Sequence, residues 1–347
     1  MEGHFTKKDT NIVKGIAILA MVFHHIYPNN TALSINLENF SWLEQMAASG
    51  KICVALLTIL SGFGLMESYK KSERSAKLYP IRFVLSHYIQ LLSFYWIVWC
   101  FSIVAITIEG SSIWNVYGTG KVGIINLIID LLGLGIVFHS PVWIGGWYLS
   151  AIVVFYCLFP ILEWIVSKVG IVICIISYLP WIYYQTKGDL MMHTDWWLFY
   201  LCPFVLGIWL SQKDMLAHEK EKVETKRTIV VVALFVLILV LRQYGTLIID
   251  PFLSLSVILL EVHVASKVVK ISEVLSEFGK ESANIWLLHP FIISQISVYS
   301  FRNYQVKFLA VLFLSFSIAI CLSKIKNGIS YNKIVGKIRN VILPKKV

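Results

Sequence analysis

The sequence predicts an all-α, polytopic membrane protein, and three observations carry that prediction. Of the 347 residues, 57% are hydrophobic and 14% charged, against about 45–50% and about 25% in a soluble domain, and mean hydropathy is +0.73. The apolar residues fall in runs near the length a helix needs to cross a bilayer. The aromatic load of 12 Trp, 16 Tyr and 20 Phe suits two interfacial belts.

Along the chain, the start is polar and basic (Lys7, Lys8, Lys14) and the run behind it has no small-residue cleavage site. It is expected to be the first transmembrane helix and not a removable signal. Apolar runs then occupy roughly 12–28, 52–67, 83–107, 122–138, 147–166, 169–186, 196–211, 228–244, 249–266, 283–300 and 305–323, eleven in all. No internal repeat points to the two halves of a transporter.

Basic connectors test this count, because they face the cytoplasm. Lys70, Lys71, Arg74, Lys77 and Arg82 follow the second run. Lys213, Lys220, Lys222, Lys226 and Arg227 lie in 212–227, and Lys267, Lys270 and Lys280 in 267–282. The tail adds Lys324, Lys326, Lys333, Lys337, Arg339, Lys345 and Lys346. Eleven crossings cannot put all four on one side, whereas removing one between residues 108 and 211 can. The segment 122–138 is the candidate, since it carries Asp130, Gly133 and Gly135 and runs into "HSPVWIGG", as a re-entrant piece buried in protein would. The expectation is about ten transmembrane helices with one re-entrant or short extra segment and both termini cytoplasmic. All of 1–347 forms a single domain, with a transmembrane core at about 12–323 and a basic cytoplasmic tail over 324–347.

The net charge of +10 sits in loops and tail. Such loops set topology and suit anionic lipid or a phosphorylated cofactor. Nucleic acid is excluded as a partner, because the aromatic residues lie in apolar runs and not among the basic ones. Cys53, Cys100, Cys157, Cys174, Cys202 and Cys321 all lie in apolar segments without a CxxC, so they are expected as buried small hydrophobes, with no disulfide and no metal site. Neither GxSxG, HExxH, a P-loop nor a GxGxxG in strand context occurs, which disfavours hydrolase, metalloprotease and nucleotide-motor readings.

Ionisable residues inside apolar runs are the functional candidates. Lys14 and His25 are eleven residues apart; at 100° per residue they fall within ~20° of one face and about 16 Å apart along the axis. His24 points about 100° away from His25. A lysine suits an anionic phosphate, and a neutral imidazole suits a general base. His289 precedes Pro290 in "ANIWLLHPFII", where the missing backbone donor opens room for a ligand. His139, Trp147 and Ser150 flank the "SPVWIGG" break and are candidates to meet a sugar acceptor. Ser61 and Gly62 read as a small-residue helix-packing patch. Glu261 and His263 are expected to reach the interface near a helix end.

Four segments, "KGIAILAMVFHHIY", "ILSGFGL", "WYLSAIVVFYCLFPIL" and "GKESANIWLLHPFI", together resemble the acyltransferase-3 family of integral-membrane O-acyltransferases, in the family's order from residue 14 to about 293. The resemblance implies about ten transmembrane helices and transfer of an acyl group, usually acetyl from cytoplasmic acetyl-CoA, to a hydroxyl of a surface polysaccharide or its lipid-linked precursor at the cytoplasmic membrane. It implies that Lys14 matches the family's basic residue and His25 its essential histidine. The family's Arg-x2-Arg pair before "YW" is replaced here by His87 and Gln90. That departure moves the expected CoA-phosphate contacts to Lys14, Lys70, Lys71, Arg82 and His87. The expected partners are acetyl-CoA, a glycan or glycan-lipid acceptor and membrane lipids.

On this reading His25 removes a proton from a sugar hydroxyl, or takes the acetyl group itself. His289, or a backbone donor freed by Pro290, stabilises the oxyanion. A glycan-lipid transporter or flippase, and a non-catalytic sensor on the same fold, are the alternatives.

Overall fold

The computed structural model describes residues 4–26, 42–72, 79–108, 112–135, 137–138, 146–187, 197–244, 247–265, 267–297 and 303–342. Every regular element among them is helical. The first helix, α1 (Lys7–Ile26), starts at a capping box: the Thr6 backbone N–H and hydroxyl both donate to Asp9 Oδ2, at 2.6 and 2.9 Å, and the Asp9 N–H donates back to Thr6 Oγ1. A tight turn at Gly50 joins α2 (Trp42–Ser49) to α3 (Ile52–Lys70). Next come α4 (Tyr79–Ile108), the short α5 (Ile113–Tyr117), α6 (Gly120–Leu131), α7 (Gly146–Val169) and α8 (Val172–Lys187). Then follow α9 (Leu201–Gln212), α10 (Met215–Glu221), α11 (Thr225–Tyr244), α12 (Asp250–Val264) and α13 (Val269–Lys280). The last three are α14 (Ser282–Ser297), α15 (Tyr304–Gly328) and α16 (Tyr331–Ile342).

Among the described residues, five stretches are long and apolar enough to cross a membrane: Met46–Lys70, Tyr79–Ile108, Gly146–Val169, Leu247–Val264 and Tyr304–Gly328. Helices α1 and α11 have 20 residues each, about 30 Å and so the thickness of the hydrocarbon layer; Asp9, Lys14, His24 and His25 make α1 less apolar. Helix α6, in the segment read as re-entrant, has 12 residues, about 18 Å. Gly133, at φ +64°, turns the chain just beyond it. The two basic connectors 212–227 and 267–282 hold helices of their own, α10 and α13.

The chain divides into two compact units, Met1–Lys70 with Trp164–Ile320, and Lys71–Glu163 with Cys321–Val347. In the first, glycines let backbones meet. A Cβ on Gly15 of α1 would lie 2.0 Å from the Leu275 carbonyl oxygen of α13, and one on Gly279 of α13 would lie 1.8 Å from that of Asn11. Gly62 of α3 and Gly207 of α9 interlock in the same reciprocal way: a Cβ on either would lie 2.1 Å from a facing carbonyl oxygen. This is the packing expected of "LSGFGL". Ser61 is spent locally, donating to the Leu57 carbonyl.

The second unit is held by an aromatic face of α4 clamped on the end of α6. Tyr88 donates to the Leu132 carbonyl at 2.7 Å and Trp96 to that of Leu131 at 2.9 Å. Asp130, buried, accepts from Tyr95 at 2.8 Å, Tyr117 at 2.6 Å and Trp99 at 3.1 Å. A carboxylate inside an apolar segment is tolerable because donors surround it. The segment read as a basic tail forms α16, which lies on α4 with Tyr331 donating to the Ser93 carbonyl and Arg339 to the Ser86 hydroxyl.

Two expectations change. Glu261 and His263 do not reach an interface: they are 5% and 0% exposed, because α10, α11 and α1 all pack on α12. All six cysteines are free, but only Cys53, Cys174 and Cys202 are buried. Cys100, Cys157 and Cys321 face outward from apolar helices, where a thiol serves lipid as well as it serves a core.

Candidate active site

The centre of the first unit is a pair of histidines far apart in sequence. His25, in the last turn of α1, places Nδ1 2.8 Å from Nε2 of His289 in α14. The two rings lie edge to edge and nearly coplanar, with centroids 4.9 Å apart and planes 7° from parallel. His289 Nδ1 lies 2.7 Å from the Trp286 carbonyl oxygen.

These bonds assign the tautomers of the neutral rings. A carbonyl only accepts, so His289 carries its proton on Nδ1 and has a bare Nε2. His25 must therefore donate through Nδ1–H, which leaves its Nε2 lone pair open. His25 is exposed, while its neighbours His24 and Ile26 are buried.

Pro290 explains why the Trp286 carbonyl is available. In an α-helix that oxygen would accept from the N–H four residues on, which is position 290, and proline has none. His289 fills the vacancy with its own side chain. The group that Pro290 frees is thus an acceptor, which cannot stabilise an oxyanion. While both of its bonds stand, His289 also has no N–H to spare for one. Its bond to Nδ1 holds the His25 ring in place.

The neighbouring imidazole differs. His24 donates through Nδ1 to the Ala47 carbonyl of α2 at 2.9 Å and is 7% exposed, so it ties two helices together. Lys14, half-buried on the same helix, has no hydrogen bond or ion pair among the described residues.

The other sequence-predicted residues scatter. Lys70 is occupied: its ammonium meets Glu67 Oε1 and Asp214 Oδ1, each at 2.7 Å, and the Ser211 carbonyl at 3.0 Å, pinning α3 to the end of α9. Lys71 is exposed. In the second unit Arg82 is exposed, and His87 bonds the Phe83 carbonyl of its own helix at 2.9 Å. Arg339 of α16 stands beside it on Ser86, close enough for its charge to act on His87; burial against α4 pulls the Arg339 guanidinium below its ordinary value. Trp147 is half-buried at the start of α7 and Ser150 is buried one turn on. His139 lies outside the described residues. Among those residues no group of His, Cys, Asp or Glu could hold a metal ion.

The profile of a protein family described as "Acyltransferase domain", acyltransferase-3, matches residues 8–324, nearly the whole chain. The chain belongs to the acyltransferase-3 family. No curated protein and no solved structure matches it. As a membrane acyltransferase it must bring an acyl donor and an acceptor to one group able to move a proton or carry the acyl chain, and the open Nε2 of His25 is such a group.

Sequence reasoning missed three parts of this arrangement. The pairing of His25 with His289 spans 264 residues, and no local pattern encodes it. The link from Pro290 to the His289 tautomer was available in the dipeptide itself, from the missing i+4 donor. The neutralisation of Lys70 had a signal in Glu67, three residues earlier on the same helix.

Proposed function

We propose that this protein transfers an acetyl group from cytoplasmic acetyl-CoA to a hydroxyl of a surface polysaccharide or its lipid-linked precursor, in the cytoplasmic membrane. The observation that carries the reading is the open Nε2 of His25, fixed by the chain from His25 to His289 to the Trp286 carbonyl. His25 Nε2 takes the hydroxyl proton as the sugar oxygen attacks the thioester carbon. The new C–O bond forms, the C–S bond breaks, and the proton passes from His25 to the departing CoA thiolate. Such a base contributes about 10²–10⁴-fold, and the Nδ1–H bond to His289 steadies the imidazolium while it exists. The same lone pair is the nucleophile if the acyl group passes through the ring.

Lys14, in the N-terminal half of α1, supports phosphate binding, being a cation without a described partner. Lys70, paired with two carboxylates, is the weaker phosphate ligand. In the second unit Arg82, His87 and Arg339 are the basic candidates, with Lys71 exposed before them. Trp147 and Ser150, together with His139, remain proposed for the acceptor. The proposed topology keeps ten crossings with both termini cytoplasmic, and the short α6 supports leaving 122–138 out of the count.

The test is NMR of surface polysaccharide from cells making wild type, His25→Ala or His24→Ala at matched protein levels. O-acetyl signals are expected to vanish with His25→Ala and to persist with His24→Ala. Acetylation that survives His25→Ala would defeat the assigned base, and no acetyl signal in wild type would defeat the reaction.

A further inference from the structure

A second polar cluster gathers around the α2–α3 turn of the same unit, and the reaction described above uses none of it. Arg242, in the last turn of α11, is 4% exposed, and Asp250, the first residue of α12, is 3% exposed. Arg242 Nε donates to Asp250 Oδ1. Arg242 Nη2 is buried and has no hydrogen-bond partner. An unpaired guanidinium N–H deep in a protein is costly and rare, and this one belongs to a group that cannot lose its charge.

The turn delivers more charge to the same place. Ser49 Oγ accepts from Gln243 Nε2 at 2.8 Å, so the residue after Arg242 is tied to the turn. Gly50 lies against α1: a Cβ there would meet the Ala20 carbonyl oxygen at 2.4 Å and His24 Cβ at 3.1 Å. Any other residue would push the turn off the helix. Lys51 follows directly, and its charge acts on His24, His25 and Asp250 alike. Serine, glycine and lysine, three residues in a row, thus bring Arg242, Lys51 and the catalytic end of α1 together. Arg242 and Lys51 both act on the one carboxylate of Asp250.

We infer that Arg242 and Lys51 form an anion subsite beside His25 that receives an oxyanion borne by the acceptor, so that this acyltransferase modifies an acidic glycan. The inference rests on the transferase reading of His25 and names the substrate class of that same site. Arg242 Nη2 supplies the hydrogen bond that its burial leaves unmade. Lys51 adds charge, and Asp250 holds the guanidinium through Nε. A sugar anchored by its acid group would present a neighbouring hydroxyl to His25 Nε2 in a fixed register, which is how remote binding favours a reaction. The oxyanion can be a uronate carboxylate or a sugar phosphate, since both suit an arginine N–H and a lysine.

Binding separates this inference from the activity. Purified protein in nanodiscs is titrated by calorimetry with trigalacturonate, with its carboxyl-reduced trigalactose counterpart, and with galactose 1-phosphate. Wild type is expected to bind at least one of the two acids about tenfold or more tighter than the neutral trisaccharide, and which acid wins identifies the oxyanion. Arg242→Lys keeps a cation for Asp250 but removes the Nη2 nitrogen, and is expected to lose most of that preference. The paired variant Arg242→Leu with Asp250→Leu leaves no orphaned charge, and is expected to fold and to lose the preference entirely. Equal or absent binding of acids and neutral sugar by wild type overturns the inference, as does a preference that survives both variants. Acetyl transfer is followed separately on the same samples. Acid-selective binding without transfer defeats the activity and leaves the subsite standing, whereas transfer to a neutral acceptor as fast as to an acid defeats the subsite alone.

Discussion

Asp130 in the second unit and the His25–His289 pair in the first are both polar groups inside apolar helices, but they are finished differently. Three side-chain donors close around Asp130. The histidine chain is closed at one end by the Trp286 carbonyl and open at the other. The difference teaches that polarity in an apolar segment does not by itself mark chemistry. A saturated group holds helices together, and a group held rigid with one valence left over is available to a substrate.

Four substitutions test that contrast, from the largest effect to the smallest. Asp130→Ala leaves the Tyr95, Tyr117 and Trp99 donors without their carboxylate, and is expected to lower stability by about 3 kcal/mol. Thermal unfolding in detergent reads this, and turnover per folded molecule should hold. Activity lost with stability intact would erase the contrast. Gly279→Ala drives a methyl toward the Asn11 carbonyl and should cost about 2 kcal/mol by forcing α1 and α13 apart, again measured by unfolding.

Pro290→Ala restores a backbone N–H that competes with His289 for the Trp286 oxygen. Acceptor-dependent release of CoA is expected to fall about tenfold, a barrier increase of about 1.4 kcal/mol, with no loss of stability. Unchanged turnover would mean that the carbonyl does not set the tautomer. Lys70→Met removes two ion pairs that are partly exposed and is expected to cost no more than about 1 kcal/mol. It should leave the KM for acetyl-CoA within about twofold; a larger rise would return Lys70 to the donor site.

Much of this was legible because it is local. The helical class, the stripe joining Lys14 to His25 and the packing role of Gly62 follow from periodicity and residue size. The oddity of Asp130 was visible too, but not its cure, since Tyr95, Trp99 and Tyr117 lie 13 to 35 residues away and look like ordinary membrane aromatics. Arg242 drew no notice because a cation at the end of an apolar run reads as a flanking charge. Only the fold brings Asp250 and the turn at Gly50 to it. Glu261 and His263 misled for the converse reason: near a helix end, burial depends on what packs outside, and α10 was unforeseen inside a basic connector.

The close packing of α1 gives the helix a further property, that of a ruler. Gly15 and Gly50 seat it against neighbouring backbone, and it runs unbroken from Lys7 to Ile26. The separation of Lys14 and His25 is therefore a fixed gauge of about 16 Å. On the proposed reading, in which Lys14 holds the donor's anion and His25 meets its carbonyl, the donor must match that span. CoA thioesters, with a long arm between phosphates and sulfur, can do so, whereas acetyl phosphate carries both groups within a few bonds and falls short. On that reading donor choice is a matter of length as much as of recognition.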